Sequence, residues 1–190
     1  MKRAFDIIMS LGAIIVLSPV FLITALLVLS ADGAPVIYKQ KRVGKDAKLF
    51  TIYKFRTMKN GTRIAATNDL TESQDQIIAF GGLLRKTSLD ELPQLVNILK
   101  GDMSFVGPRP LIPEEEDIHE LRLEHGVYAV RPGLTGLAQV NGRDKVSIEE
   151  KVRLDSEYVN TRNLILDIKI FLKTFVNVFK MSDVVEGGHE

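Results

Sequence analysis

The stretch from Ile7 to Leu29, IIMSLGAIIVLSPVFLITALLVL, decides how this chain must be read. It runs about 23 residues without a charge, and as a straight helix at ~1.5 Å per residue it would reach roughly 35 Å, enough to span a bilayer core. Ser18-Pro19 sits in the middle of it. Pro19 has no backbone N–H and its ring crowds the preceding turn, so a kink is predicted there. The Ser18 hydroxyl can take up a freed carbonyl, which makes a break tolerable in lipid. A cleaved leader fits poorly, because the run exceeds the usual ~7–15 apolar residues and a basic stretch follows it. A simple membrane anchor and a re-entrant helix both stay open on the residues alone. Lys2 and Arg3 flank one end, and Lys39, Lys41, Arg42, Lys45 and Lys48 follow the other. The positive-inside tendency therefore draws both ends to one face.

Outside this run the chain is ordinary in bulk. Its 190 residues suffice for one compact domain, and a net charge of +1 singles out no partner, nucleic acid included. The charge is unevenly spread: Met1 to Asn60 holds about ten Lys/Arg against about three Asp/Glu, whereas Leu111 to Asn160 leans acidic. A basic segment beside an apolar one suits an anionic membrane surface. With no cysteine, thiolate metal sites and a cysteine nucleophile are excluded, and His119, His125 and His189 lack ligand spacing.

Beyond the turn at Asp32-Gly33-Ala34-Pro35, Val36-Ile37-Tyr38 and Leu49 to Tyr53 read as a strand pair around Val43-Gly44-Lys45-Asp46. Gly61 to Gln76 is polar and reads as loop or short helix. Leu92 to Lys100 reads as a short helix stopped by Gly101, and Leu111 to Gly126 as an acidic helix. Ser147 with Glu150 matches a capping box. Leu164 to Met181 carries a broad apolar stripe with Lys169, Lys173 and Lys180 around it. Such a helix serves equally as a core element or at a lipid interface.

The densest chemistry lies between Thr87 and Pro110. Asp90 and Glu91 are adjacent carboxylates at a helix start, where a Ser88–Glu91 capping box or an Asp90 cap would explain them structurally. Phosphate groups also bind well at such a helix end. Arg109 in the stiff Gly107-Pro108-Arg109-Pro110 turn, Arg143 after Asn141-Gly142, and Lys54 and Arg56 after the second strand are candidate phosphate ligands. Guanidinium groups grip phosphate oxygens bidentately, and lysine acts as a point charge.

Taken in order, Lys2-Arg3 with Asp6, Ser18-Pro19, Lys54 to Met58, Thr87 to Leu95, Asn97 to Ser104, Gly107 to Pro110, and Arg131 to Gly136 with Gln139 to Arg143 resemble the bacterial sugar transferase family. Within that family they look like the small monotopic phosphoglycosyl transferases, over essentially the whole chain. The resemblance implies an α+β fold. A re-entrant membrane helix broken at Ser18-Pro19 would occupy residues 1–31. A mostly helical cytosolic, membrane-associated catalytic domain with a small β-hairpin and interfacial amphipathic helices would occupy residues 32–190. It implies residence at the bacterial inner membrane with a cytoplasm-facing site, and a two-step, Mg2+-dependent reaction. Asp90 would attack the β-phosphate of a UDP-sugar, releasing UMP, and undecaprenyl phosphate would accept the phosphosugar. Glu91 is the partner carboxylate, in metal binding with Asp90 or in proton handling, and Arg109 and Arg143 match positions that contact phosphate. Contacts with later glycosyltransferases and self-association stay open, as do the sugar and the glycan pathway. A non-catalytic phosphate-binding module and a hydrolase are the rival classes: loss of UMP release on replacing Asp90 by Asn separates the first, and product analysis the second.

Overall fold

The computed structural model describes residues 2–62, 74–142 and 146–180, the side chains of 178–180 excepted. Most of the polar stretch between Gly61 and Gln76, together with Arg143 and the tail from Val184, therefore lies outside the described residues.

Helix α1 (Lys2–Val16) and helix α2 (Ser18–Asp32) meet at Leu17 and are bent by 63°. The proline accounts for the break atom by atom. An uninterrupted helix would bond the residue-19 N–H to the Ile15 carbonyl, and Pro19 has no such donor. Ser18 Oγ donates to that same carbonyl instead, at 2.8 Å. No single described helix is long and apolar enough to cross a membrane, but this bent pair passes that test together. Its polarity is inverted relative to a protein dissolved in water. Asp6, Ser10 and Thr24 are buried, while Ile8, Ile15, Val16 and Leu22 lie more than half exposed.

Strands β1 (Ile37–Val43) and β2 (Leu49–Phe55) form an antiparallel hairpin, in register from Ile37↔Phe55 to Val43↔Leu49. β1 runs five residues past Tyr38, the end of the apolar Val36-Ile37-Tyr38 run expected of it, with Lys39 and Lys41 facing solvent on alternate positions. Next come α3 (Gly81–Lys86), a 3-10 turn (Leu89–Glu91), α4 (Gln94–Lys100) and β3 (Ser104–Val106). Then follow α5 (Glu116–Glu124), β4 (Gly133–Thr135), α6 (Leu137–Val140), α7 (Ile148–Thr161) and α8 (Leu164–Lys180). β3 and β4 pair in parallel. Two expected boundaries move and a third holds. α4 starts at Gln94 because Pro93 occupies its N-cap, α5 starts at Glu116 after the Ile112–Glu115 turn, and α7 is capped by Ser147 as its sequence suggested.

The main core joins Ile52, Leu95, Ile98, Met103, Phe105, Val106, Val140, Tyr158 and Ile170. α8 fills the core role expected of it on one side only. Ile170, Leu166 and Phe171 pack on this core, while Leu164, Ile165 and Leu172 remain more than half exposed. The charged start of α1 locks the apolar pair onto the domain. Lys2 Nζ donates to Asp167 Oδ2 (2.5 Å), the Tyr158 hydroxyl (2.9 Å) and the Val106 carbonyl (3.1 Å). Arg3 donates to the Ile98 and Leu99 carbonyls at the C-terminal end of α4. Asp6 Oδ1 accepts from Ser104 Oγ and the Phe105 N–H. Residues that flank the apolar run as charges are thus also long-range clamps.

Candidate active site

Asp90 and Glu91 share the 3-10 turn that leads into α4. The capping explanation does not hold for them. Ser88 takes the left-handed conformation (φ 56°), and no side chain caps either the turn or α4. A residue with a Cβ visits that region uncommonly, and such outliers collect at functional sites. Asp90 is 8% exposed. Burial pushes its carboxyl up and the Glu91 charge adds to the push. Lys54, Arg85 and Arg109 pull it back, leaving it at about 6.

Glu91 gathers cations from two distant parts of the chain. Its Oε1 lies 2.7 Å from Lys54 Nζ and 3.7 Å from Arg109 Nη2. Lys54 arrives there because α4 is pinned to the edge of β2. The fully buried Asn97 accepts from the Tyr53 N–H at 3.0 Å and donates to the Thr51 carbonyl at 2.7 Å. Gly101, at φ 100°, then ends α4 in a conformation that suits glycine.

Arg109 is placed by a crossing of two backbones. The Gly107 N–H donates to the Thr135 carbonyl and the Gly133 N–H to the Pro108 carbonyl, both at 2.9 Å. A Cβ on Gly133 would sit 2.2 Å from the Gly107 nitrogen, so only glycine permits the approach. This crossing joins the Gly107–Pro110 turn to the Arg131–Gly136 loop. Behind it, Arg122 of α5 donates to the Arg109 carbonyl at 2.8 Å and to Asp155 Oδ2 of α7 at 2.6 Å. Both members of that pair are buried. The Arg109 side chain is left 45% exposed, free to meet a ligand.

The structure thus brings Asp90, Glu91, Lys54 and Arg109 together. Arg56 is engaged elsewhere. It is 6% exposed and donates to the Asp32 and Gly33 carbonyls, and to Asn60 Oδ1, with an ion pair to Asp32. Arg56 lies just past the end of β2 with its N–H still bonded to the Val36 carbonyl at 2.9 Å, and its side chain is taken up by the carbonyls at the end of α2. Arg143 lies outside the described residues. Sequence reading passed over Arg42, Arg85, Arg122 and Asp155. Arg85 donates to Thr57 Oγ1 at 2.9 Å and acts on Asp90 through its charge. Only Arg42 left a usable signal, since it alternates in phase with Tyr38, the cross-strand partner of Lys54.

Comparison with known proteins gives a consistent result. An exopolysaccharide production protein ExoY from Sinorhizobium fredii is 39% identical over 188 residues, covering 91% of this chain and 83% of the relative. An undecaprenyl-phosphate galactose phosphotransferase from Salmonella typhimurium is 40% identical over 189 residues, covering 92% of this chain and 39% of the relative. A UDP-glucose:undecaprenyl-phosphate glucose-1-phosphate transferase from Escherichia coli is 37% identical over 187 residues, covering 95% of this chain and 40% of the relative. With a family match extending over residues 1–181, the chain belongs to the bacterial sugar transferases.

Proposed function

We propose that this transferase moves a sugar 1-phosphate from a UDP-sugar to undecaprenyl phosphate, releasing UMP, at the cytoplasmic face of the bacterial inner membrane. The observation that carries the proposal is the cluster itself: a buried Asp90 beside Glu91, with Lys54 and Arg109 drawn onto Glu91. The Salmonella and Escherichia relatives, named for undecaprenyl-phosphate acceptors and for galactose and glucose, support the substrate classes. In the first step an Asp90 carboxylate oxygen attacks the β-phosphorus. The bond from that phosphorus to the bridging oxygen breaks, and UMP leaves with the electron pair. In the second, a phosphate oxygen of the lipid attacks the same phosphorus and Asp90 departs as a carboxylate. The product is a polyprenyl diphosphate sugar. Dividing the transfer between two displacements replaces one crowded encounter by two simpler ones.

Lys54 and Arg109 serve as phosphate ligands, and Glu91 holds them at the reacting position before substrate arrives. Asp90 and Glu91 also suit a magnesium ion, which takes one or two carboxylates and completes its shell with phosphate oxygens and water. Burial first and the Glu91 charge second raise the Asp90 carboxyl, and the second of these is charge that a cation would relieve. When bound, the ion neutralises charge on the phosphate oxygens. The outward apolar surface of α1 and α2, continued by the exposed residues of α8, supports seating the domain in one membrane leaflet.

The test is UMP release from UDP-glucose and UDP-galactose with undecaprenyl phosphate and Mg2+. Asp90→Asn should reduce it by at least roughly a thousandfold. Full activity in that variant would refute the proposal. A free sugar phosphate in place of a lipid-linked diphosphate would make the chain a hydrolase.

A further inference from the structure

We propose that Arg42 is a second phosphate-binding guanidinium beside Arg109, holding the phosphate that departs with the nucleotide. This inference rests on the transfer reaction proposed above and extends its site by one residue.

The hairpin register places Arg42 on the catalytic face. Tyr38 pairs with Lys54, Gln40 with Ile52 and Arg42 with Phe50. Cross-strand partners and alternate residues share one face of a sheet, so Arg42 projects on the same side as Lys54. Lys54 reaches Glu91 from one end of that face. At the other end Arg42 meets the turn that presents Arg109: its Nη1 donates to the Pro110 carbonyl at 3.4 Å, and its Nη2 to Gln40 Oε1 at 2.6 Å. Both of these acceptors are neutral. The Arg42 Nε is buried without a hydrogen-bond partner among the described residues. A guanidinium carries five donors and is costly to remove from water when they are only partly matched.

The surroundings say what would complete it. Burial and the neighbouring Arg109 charge lower the Arg42 guanidinium to about 10, in spite of Glu115, Tyr38 and Glu91. The Arg109 charge acts against the Arg42 charge, and an anion shared by the two would reverse the sign of that interaction. Arg42 Nη1 meets the carbonyl of Pro110, the residue after Arg109, and Arg109 Nη2 lies 3.7 Å from Glu91 Oε1 beside Asp90, so contacts run from the Asp90–Glu91 pair through Arg109 to the Arg42 end. A nucleotide sugar presents two linked phosphates. The one attacked by Asp90 falls to Lys54 and Arg109. Its neighbour, which leaves as part of UMP, falls between Arg109 and Arg42. Gln40 then holds the Arg42 fork in the plane that phosphate oxygens require.

UMP and uridine separate this role from a structural one. Affinities for both are measured by titration calorimetry on the full chain in detergent, for the wild type, Arg42→Gln and Arg42→Lys. Thermal melting checks folding. Loss of one charge-assisted contact should weaken UMP by roughly 10- to 100-fold in Arg42→Gln. Arg42→Lys should lose part of that, keeping the charge without the fork, and uridine binding should not change. Unchanged UMP affinity in folded Arg42→Gln would overturn the proposal. So would equal weakening of UMP and uridine, or failure of both variants to fold, since Arg42 would then be a brace for the turn. A wild type that binds UMP but releases none from UDP-sugar and lipid phosphate would instead sink the transfer reaction.

Discussion

Burial and the adjacent Glu91 carboxylate raise Asp90 to about 6, from an ordinary value of 3.8. Below the ordinary value the group is protonated in folded and unfolded chains alike. Between 3.8 and about 6 the unfolded chain gives up its proton first, so folding loses stability as pH rises through that window. Above it the folded chain carries an ionised carboxylate that the unfolded chain would hold at lower cost. Asp90→Asn should therefore be more stable than wild type at pH 7.5 in the presence of a chelator, by about 1–3 kcal/mol. The gain should fade towards pH 4. Denaturant titrations at the two pH values check this, and an equal or lower stability of Asp90→Asn at pH 7.5 would contradict it. A residue kept at a cost to folding is what chemistry at that position requires.

Two helices remote from the dyad decide where Arg109 stands. The Arg122–Asp155 pair joins α5 to α7 and holds the Arg109 carbonyl, with both side chains almost fully buried. Asp155→Ala leaves a buried guanidinium without its counter-charge and should cost about 3–5 kcal/mol. Unfolding by urea measures it, and a loss under about 1 kcal/mol would show that water reaches the pair. Elements dictated by local rules were legible in the sequence: Pro19 breaks the apolar run, Gly101 ends α4, and Ser147 caps α7. Contacts between remote segments were not. The partners of Lys2, Arg3 and Asp6 lie about a hundred residues away or more, so their clamping left no local pattern. Arg56 misled for the same reason: two residues from Lys54 in sequence, it is held by the Asp32 and Gly33 carbonyls and the Asp32 carboxylate. Asp90 and Glu91 stood out by type and spacing, but the cap first suggested for them depended on a backbone conformation of Ser88 that spacing does not encode.

For the whole molecule, the bend sets how deep the N-terminal pair can go. Each arm has 15 residues. At ~1.5 Å per residue an arm is ~22 Å long, and two such arms bent by 63° form a V roughly 12 Å deep. That is less than half of a ~30 Å hydrocarbon core, so under the proposed function a pair seated in the bilayer at this bend would dip into one leaflet and return. Tags placed before Lys2 and after Asp32 should both be accessible from the cytoplasm, and periplasmic labelling of either would contradict the re-entrant arrangement. A site held at that surface can receive a soluble nucleotide sugar from one side and a lipid phosphate from the other. The central claim is that Asp90 carries the phosphosugar between them. Its most direct test is to mix the full-length enzyme, Mg2+ and isotopically labelled UDP-sugar without lipid acceptor, quench rapidly in acid, and map the label by peptide mass spectrometry. The account predicts a phosphosugar adduct on the peptide containing Asp90, absent from Asp90→Asn and discharged on adding undecaprenyl phosphate. No adduct from an enzyme that turns over when the lipid is supplied, or an adduct on another residue, would contradict it.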